Sequence, residues 1–210
     1  MSDRNGVGDF DFLVGSWNSI QRKLKKPLAD CDEWEESSAT TRCWQVFGGA
    51  ANVDEVHFPD WNFSGLSVRL LNPATGEWSI YWVNSRNGEL TLPPVTGRFS
   101  DGVGMFYDNE QYEGRDITVR YKWSDITATT ARWEQAFSLD NGQTWETNWT
   151  ADFTRDRLNR SQTGPADASH NADERGLPTA NARIHGEDGS SAGVLAARNG
   201  GSVRVTDALF

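Results

Sequence analysis

Asp116-Ile-Thr-Val-Arg-Tyr-Lys-Trp123 alternates without a break: Ile117, Val119, Tyr121 and Trp123 are apolar, while Thr118, Arg120 and Lys122 are polar. Period two is the signature of a strand with one face in a core and the other in water. The same reading extends outward from this stretch. In 130–138, Trp133, Gln135 and Phe137 share a face against Arg132 and Glu134. In 145–154, Trp145, Trp149 and Phe153 oppose Glu146, Asn148 and Asp152. Towards the N-terminus, Leu66, Val68 and Leu70 define one face of 65–71, and Trp78, Ile80 and Trp82 one face of 77–84. These faces are expected to point inward. Further strands are expected over 17–24, 33–46, 52–58, 96–99 and 103–112, divided by turn signals such as Gly48-Gly49, Asn72-Pro-Ala-Thr-Gly76 and Asp101-Gly102. Residues 9–15, DFDFLVG, read as a short helical turn able to plug one end. About ten strands in successive hairpins are better closed than left with open edges. The expected fold is therefore all-β, an antiparallel meander closed into a barrel over residues 9–155, with room inside for one small ligand.

Composition sets the limits of that domain. All ten Trp lie between Trp17 and Trp149, and Phe210 is the one Phe, Tyr or Trp beyond Arg155. A core needs bulky apolar side chains to offset chain entropy. Residues 156–210, rich in Ala, Gly, Ser, Asp and Asn, are thus expected to form a disordered tail, and residues 1–8 a flexible N-terminus. Residues 1–155 carry 14 basic and 23 acidic side chains, and the remaining 55 residues carry 6 and 7, for a total of −10. Such a surface argues against nucleic acid and anionic membranes as partners. The one basic run, Lys23, Lys25 and Lys26, reads as a solvated strand end. The opening residues lack a basic stretch followed by an apolar run, so no secretory signal is expected. Cys31 and Cys43, on or beside one strand at roughly 3.3 Å per residue, lie beyond disulfide reach. A cytoplasmic setting is the expectation.

Several motifs carry chemistry elsewhere. Ser138-Leu-Asp140-Asn-Gly142-Gln-Thr144-Trp145 fits S-x-D-x-G-x-T-W, the Asp-box hairpin that sialidase propellers repeat. Here it occurs once, without repeated blades, and reads as a structural turn: Asp140 bonds turn amides, Gly142 permits positive φ, and Trp145 packs beneath. His57 is the one histidine of the expected barrel. A lone strand histidine reads as structural or exposed, and no HxH or CxxC spacing points to a metal. No cofactor is implied.

The strings Asp11-Phe-Leu-Val-Gly-Ser-Trp17, Asp32-Glu-Trp-Glu-Glu36, Asn52-Val-Asp-Glu55 and Trp133-Glu-Gln-Ala-Phe-Ser138 form an ordered set with Asn72-Pro-Ala-Thr-Gly-Glu-Trp-Ser-Ile-Tyr-Trp82 and Trp145-Glu-Thr-Asn-Trp149. Together, over residues 9–155, they resemble a bacterial family of unknown function with a lipocalin-like, calycin-type barrel. The resemblance implies that fold and a cytoplasmic small-molecule binder. It brings no reaction and no catalytic residue. Haem-binding barrels related to lipocalins use a histidine near the last strand, and 145–154 has none.

The expected function is binding of an apolar or aromatic small molecule, with Trp82, Tyr121, Trp133, Phe137 and Trp149 as walls and Gln135 as the orienting polar group. Gln135, inward between two aromatics, needs a partner: a side chain, a water or a ligand. The alternative is an enzyme of the isomerase, hydratase or cyclase type that uses a buried carboxylate as acid or base, with Glu55 and Glu36 as candidates. Asp54 and Glu55 are adjacent, so at most one points inward. Arg22, Arg69 and Arg120 are possible anion clamps, although parity sets Arg69 and Arg120 opposite the apolar faces. An outward Trp61 offers a surface for a homodimer. A cavity of several hundred cubic ångströms suits either a binder or an enzyme, whereas a filled lumen suits a structural role.

Overall fold

The computed structural model describes residues 5–156. Its ten strands are β1 (Gly15–Leu24), β2 (Trp34–Val46), β3 (Ala51–Phe58), β4 (Phe63–Asn72), β5 (Glu77–Asn84), β6 (Val95–Ser100), β7 (Val103–Tyr112), β8 (Arg115–Ser124), β9 (Thr130–Ser138) and β10 (Glu146–Arg155). Each pairs antiparallel with its chain neighbours, and β1 pairs with β10, so the sheet closes into a barrel. The seam runs from Trp17 opposite Arg155 to Lys23 opposite Trp149. Of the expected tail, residues 156–210, all but Asp156 lie outside the described residues. Residues 5–8, expected to be flexible, are tied to the barrel: Asn5 Nδ2 donates to Pro73 O, and Gly8 N donates to Gly49 O at 3.1 Å. No helix among the described residues is long and apolar enough to cross a membrane.

Local chemistry explains the connections. Asn72 accepts from Ala74 N through its side chain and from Gly76 N through its carbonyl, which closes the β4–β5 turn. Asp101 and Gly102 sit at φ 51° and 78°, the pair of positive values that a twisted two-residue hairpin needs. In the Asp-box turn, Asp140 Oδ1 accepts from Thr144 N at 2.8 Å and Oδ2 from the Thr144 hydroxyl at 2.7 Å, with Gly142 at φ 87°. These bonds hold the Asp140 carboxyl down at about 2.

One end of the barrel is stoppered. A single 3-10 turn, Asp11–Leu13, drives Phe10 and Leu13 into the interior, each 1% exposed. Phe10 meets Trp78, Phe99 and Phe106 with centroids 5.0, 4.9 and 5.6 Å away. Full burial of each such ring contributes about 2–3 kcal/mol. Arg155 at the end of β10 fastens the stopper by donating to Phe12 O and Val14 O at 2.6 Å each, and its guanidinium stacks 4.1 Å from the Trp17 ring.

Two facing assignments differ from the sequence reading. On β4 the inward set is Phe63, Gly65, Ser67, Arg69 and Leu71, while Leu66 and Leu70 are 37% and 38% exposed on the outside. The greasier parity of β4 is therefore its outer one, because the lumen on this side is polar. On β10 a register shift between Thr147 and Trp149 breaks the alternation. Trp149 and Phe153 face inward as expected, but Trp145 packs outside, against Tyr107 and 4.4 Å from the Arg120 guanidinium, and Asn148 is fully buried at the bulge.

Candidate functional site

The lumen has two unlike walls. One is aromatic and comes from β5, β8, β9 and β10. Tyr121 meets Trp133 edge-on at 5.1 Å, Trp133 meets Trp149 at 5.7 Å, and Trp149 leans on Phe58 at 5.9 Å. Trp82 completes this wall by lying over the inward face of β4. Its ring occupies the space where a side chain on Gly65 would begin: a Cβ there would lie 1.8 Å from Trp82 Cη2. Gly65 is thus required for the position of Trp82.

The other wall is polar and comes from β1 to β4. Arg69 and Asp54 form an ion pair with side-chain exposures of 6% and 5%. Arg69 Nη1 donates to Asp54 Oδ2 and, at 2.9 Å, to Asn52 Oδ1. The guanidinium lies 5.2 Å from the Phe10 ring and 5.9 Å from the Trp123 ring, at the stoppered end. Gln21 joins the walls by accepting from Trp149 Nε1 at 2.9 Å while its own amide donates to Ser19 Oγ.

Between the walls is a cavity of about 90 Å³, bounded by Thr41, Asp54, Ser67 and Arg69 on one side and by Trp82, Tyr121, Trp133, Gln135 and Trp149 on the other. Taken out to solvent, the hollow encloses about 720 Å³ free of protein atoms. At about 90 Å³ the cavity is smaller than the several hundred cubic ångströms expected of a binder or an enzyme, because the stopper and the rings of Trp78 and Phe106 fill the lower barrel.

Of the residues expected to line a site, Trp82, Tyr121, Trp133, Gln135 and Trp149 meet at this cavity. Phe137 is fully buried but packs against Tyr112 at 5.3 Å, away from the cavity surface. Gln135 has a side-chain partner: its Nε2 donates to Asn148 Oδ1 at 2.8 Å. Glu55 and Glu36 are both on the outer face, and Glu36 is ion-paired there with Arg22 at 2.8 Å. The inward member of the Asp54–Glu55 pair is Asp54. His57 is exposed, with Nδ1 3.1 Å from Ser64 Oγ.

Other expectations are revised. Lys23 is no solvated strand end: it is 7% exposed and points inward, with Nζ 5.0 Å from the Trp149 ring and 5.9 Å from Trp61. Burial brings its amine down to about 8, against the opposing charge of Glu35. Trp61, offered as an outward aromatic, stacks on Phe58 at 5.4 Å. Burial, reinforced by Glu110 and Asp108, keeps the Tyr121 phenol protonated throughout the ordinary range. Sequence reasoning missed the polar wall of Asn52, Asp54, Ser67 and Arg69. The hairpin at 59–62 carries its signal, since that turn sets Asp54 opposite Ser67.

No family model matches the chain, and neither does any curated protein. Among solved structures, the chain is similar to the S-type phycobiliprotein lyase CPES from Guillardia theta, with 16% identity, a TM-score of 0.48, and coverage of 70% of this chain and 90% of that one.

Proposed function

We propose that the barrel binds a small aromatic or apolar molecule in its lumen. The observation that carries this reading is the cavity bounded by Trp82, Tyr121, Trp133 and Trp149. A wall of rings at edge-to-face spacing gives a flat guest contact on several sides at low entropic cost. The volume favours a guest of one ring: a cavity of about 150 Å³ accepts benzene, so small outward shifts of the lining rings suffice. The alternative, an isomerase, hydratase or cyclase, would use an inward carboxylate. Asp54 is the inward carboxylate of the cavity, and it is held by Arg69. That engagement favours binding over acid–base chemistry.

The test is titration of the full chain with a panel of single-ring compounds, followed by Trp emission and calorimetry. A saturable change at 1:1 stoichiometry is expected. If no compound alters the emission or releases heat up to its solubility limit, the reading fails.

A further inference from the structure

Four of the residues bounding the cavity each hold a buried polar atom with no hydrogen-bond partner among the described residues: Thr41 Oγ1, Arg69 Nε, Trp82 Nε1 and Gln135 Oε1. Arg69 and Gln135 are 5% and 0% exposed, so bulk water does not satisfy them. Buried groups of this kind are normally paired, because leaving them unmade forfeits their hydration with no return. Arg69 Nε and Trp82 Nε1 are obligate donors and the Thr41 hydroxyl can donate, so three of the four suit an acceptor on a guest. Gln135 donates one amide hydrogen to Asn148, and its Oε1 can accept.

The charge state of the guest follows from the neighbours. Asp54 already neutralises Arg69. Asp108 and Glu110 lie on the inward parity of β7, opposite Val119 and Ile117 of β8, and add negative charge on the Tyr121 side. Between Arg69 and Tyr121, away from Lys23 at the Trp149 side, an anionic guest would leave an uncompensated charge in a low-dielectric lumen, whereas a neutral carbonyl would not.

We propose, resting on the binding role argued above, that the guest is a neutral planar ring with a lactam- or amide-type carbonyl. The carbonyl oxygen sits on Arg69, Trp82 and Thr41, and an N–H of the same molecule reaches Gln135. The apolar ring faces select for flatness, and the unpaired polar atoms select for the carbonyl. A site of this kind rejects an isostere that lacks the polar group more strongly than it rejects one of slightly wrong size.

The experiment uses the full ¹⁵N-labelled chain and four probes: 2-pyridone against toluene, and benzamide against benzoate, each pair matched in non-hydrogen atoms. Affinity is read by calorimetry, and the indole N–H resonance of Trp82, assigned with Trp82→Phe, reports the hydrogen bond. Expected are at least about tenfold tighter binding of 2-pyridone than toluene, a similar preference for benzamide over benzoate, and a downfield shift of the Trp82 indole with the carbonyl probes alone. Thr41→Val, close in shape, is expected to weaken 2-pyridone about fivefold or more and to leave toluene within twofold. Equal binding of 2-pyridone and toluene with an unmoved Trp82 resonance would overturn the carbonyl assignment while the aromatic-binding role stands. Preference for benzoate would overturn the neutral assignment. Absence of binding by all four would remove both.

Discussion

Replacing Asp54 by Asn removes one charge from a pair whose side chains are 6% and 5% exposed, with almost no change in shape. Arg69 keeps its bond to Asn52 but loses its counter-charge. A guanidinium cannot shed its proton inside a protein, so the lumen must hold an uncompensated cation. Breaking a buried pair in this way costs about 3–5 kcal/mol, a large part of the roughly 5–15 kcal/mol that holds a domain together. For a barrel of this length the midpoint of thermal unfolding should fall by roughly 6–20 °C. The opposite lesion, Arg69→Met, strands a carboxylate in place of a cation and should cost a similar amount. The double variant removes both charges and should lie within about 1–2 kcal/mol of the parent, far from the sum of the single losses. Urea unfolding followed by Trp emission measures all three. Single losses below about 1 kcal/mol, or strictly additive losses, would refute the buried-pair argument.

Gly65→Ala should cost about 1–3 kcal/mol through overpacking against Trp82 and should abolish binding of single-ring compounds, as read by urea unfolding and titration. Lys23 has an amine held at about 8, below its ordinary 10.5, so the folded chain binds fewer protons than the unfolded one between those values. Stability should therefore rise with pH across that window by up to about 3 kcal/mol, and unfolding of Lys23→Met should lack the rise. Asp140 is held down at about 2, so its contribution is present above the ordinary carboxylate range and lost as pH falls towards 2. Asp140→Ala should speed amide exchange at Thr144 without altering ligand affinity. Glu55→Gln and Glu36→Gln, both on the outer face, should leave ligand affinity within about twofold by calorimetry.

Sequence pattern carried the fold where each strand obeyed one rule. Ile117, Val119, Tyr121 and Trp123 face inward because the lumen beside β8 is apolar, so alternation and burial agree. The same rule inverted β4, where Arg69 is inward and Leu66 outward. What makes an inward Arg69 tolerable is Asp54 on another strand, and no single-strand pattern contains a cross-strand charge pair. The aromatic half of the cavity was thus readable and the polar half was not. At β10 the limit was local: one inserted residue at the bulge sends Trp145 outside and buries Asn148, and period-two arithmetic assumes no insertion. Gln135 illustrates both cases, since its inward direction followed from parity while its partner depended on that bulge.

The seam between β1 and β10 joins the first strand of the ring to the last, with Trp17 beside Arg155. Every other ladder can form between chain neighbours as they leave the ribosome, but this one waits for the final strand. Until then the growing sheet has two raw edges and no interior, so nothing can be bound and the rings destined for the lumen face solvent. Assembly is therefore governed by a contact of long sequence separation, which predicts slow closure and a period of aggregation risk during synthesis. A chain cut short of β10 would be an open, sticky sheet and not a smaller version of the same vessel.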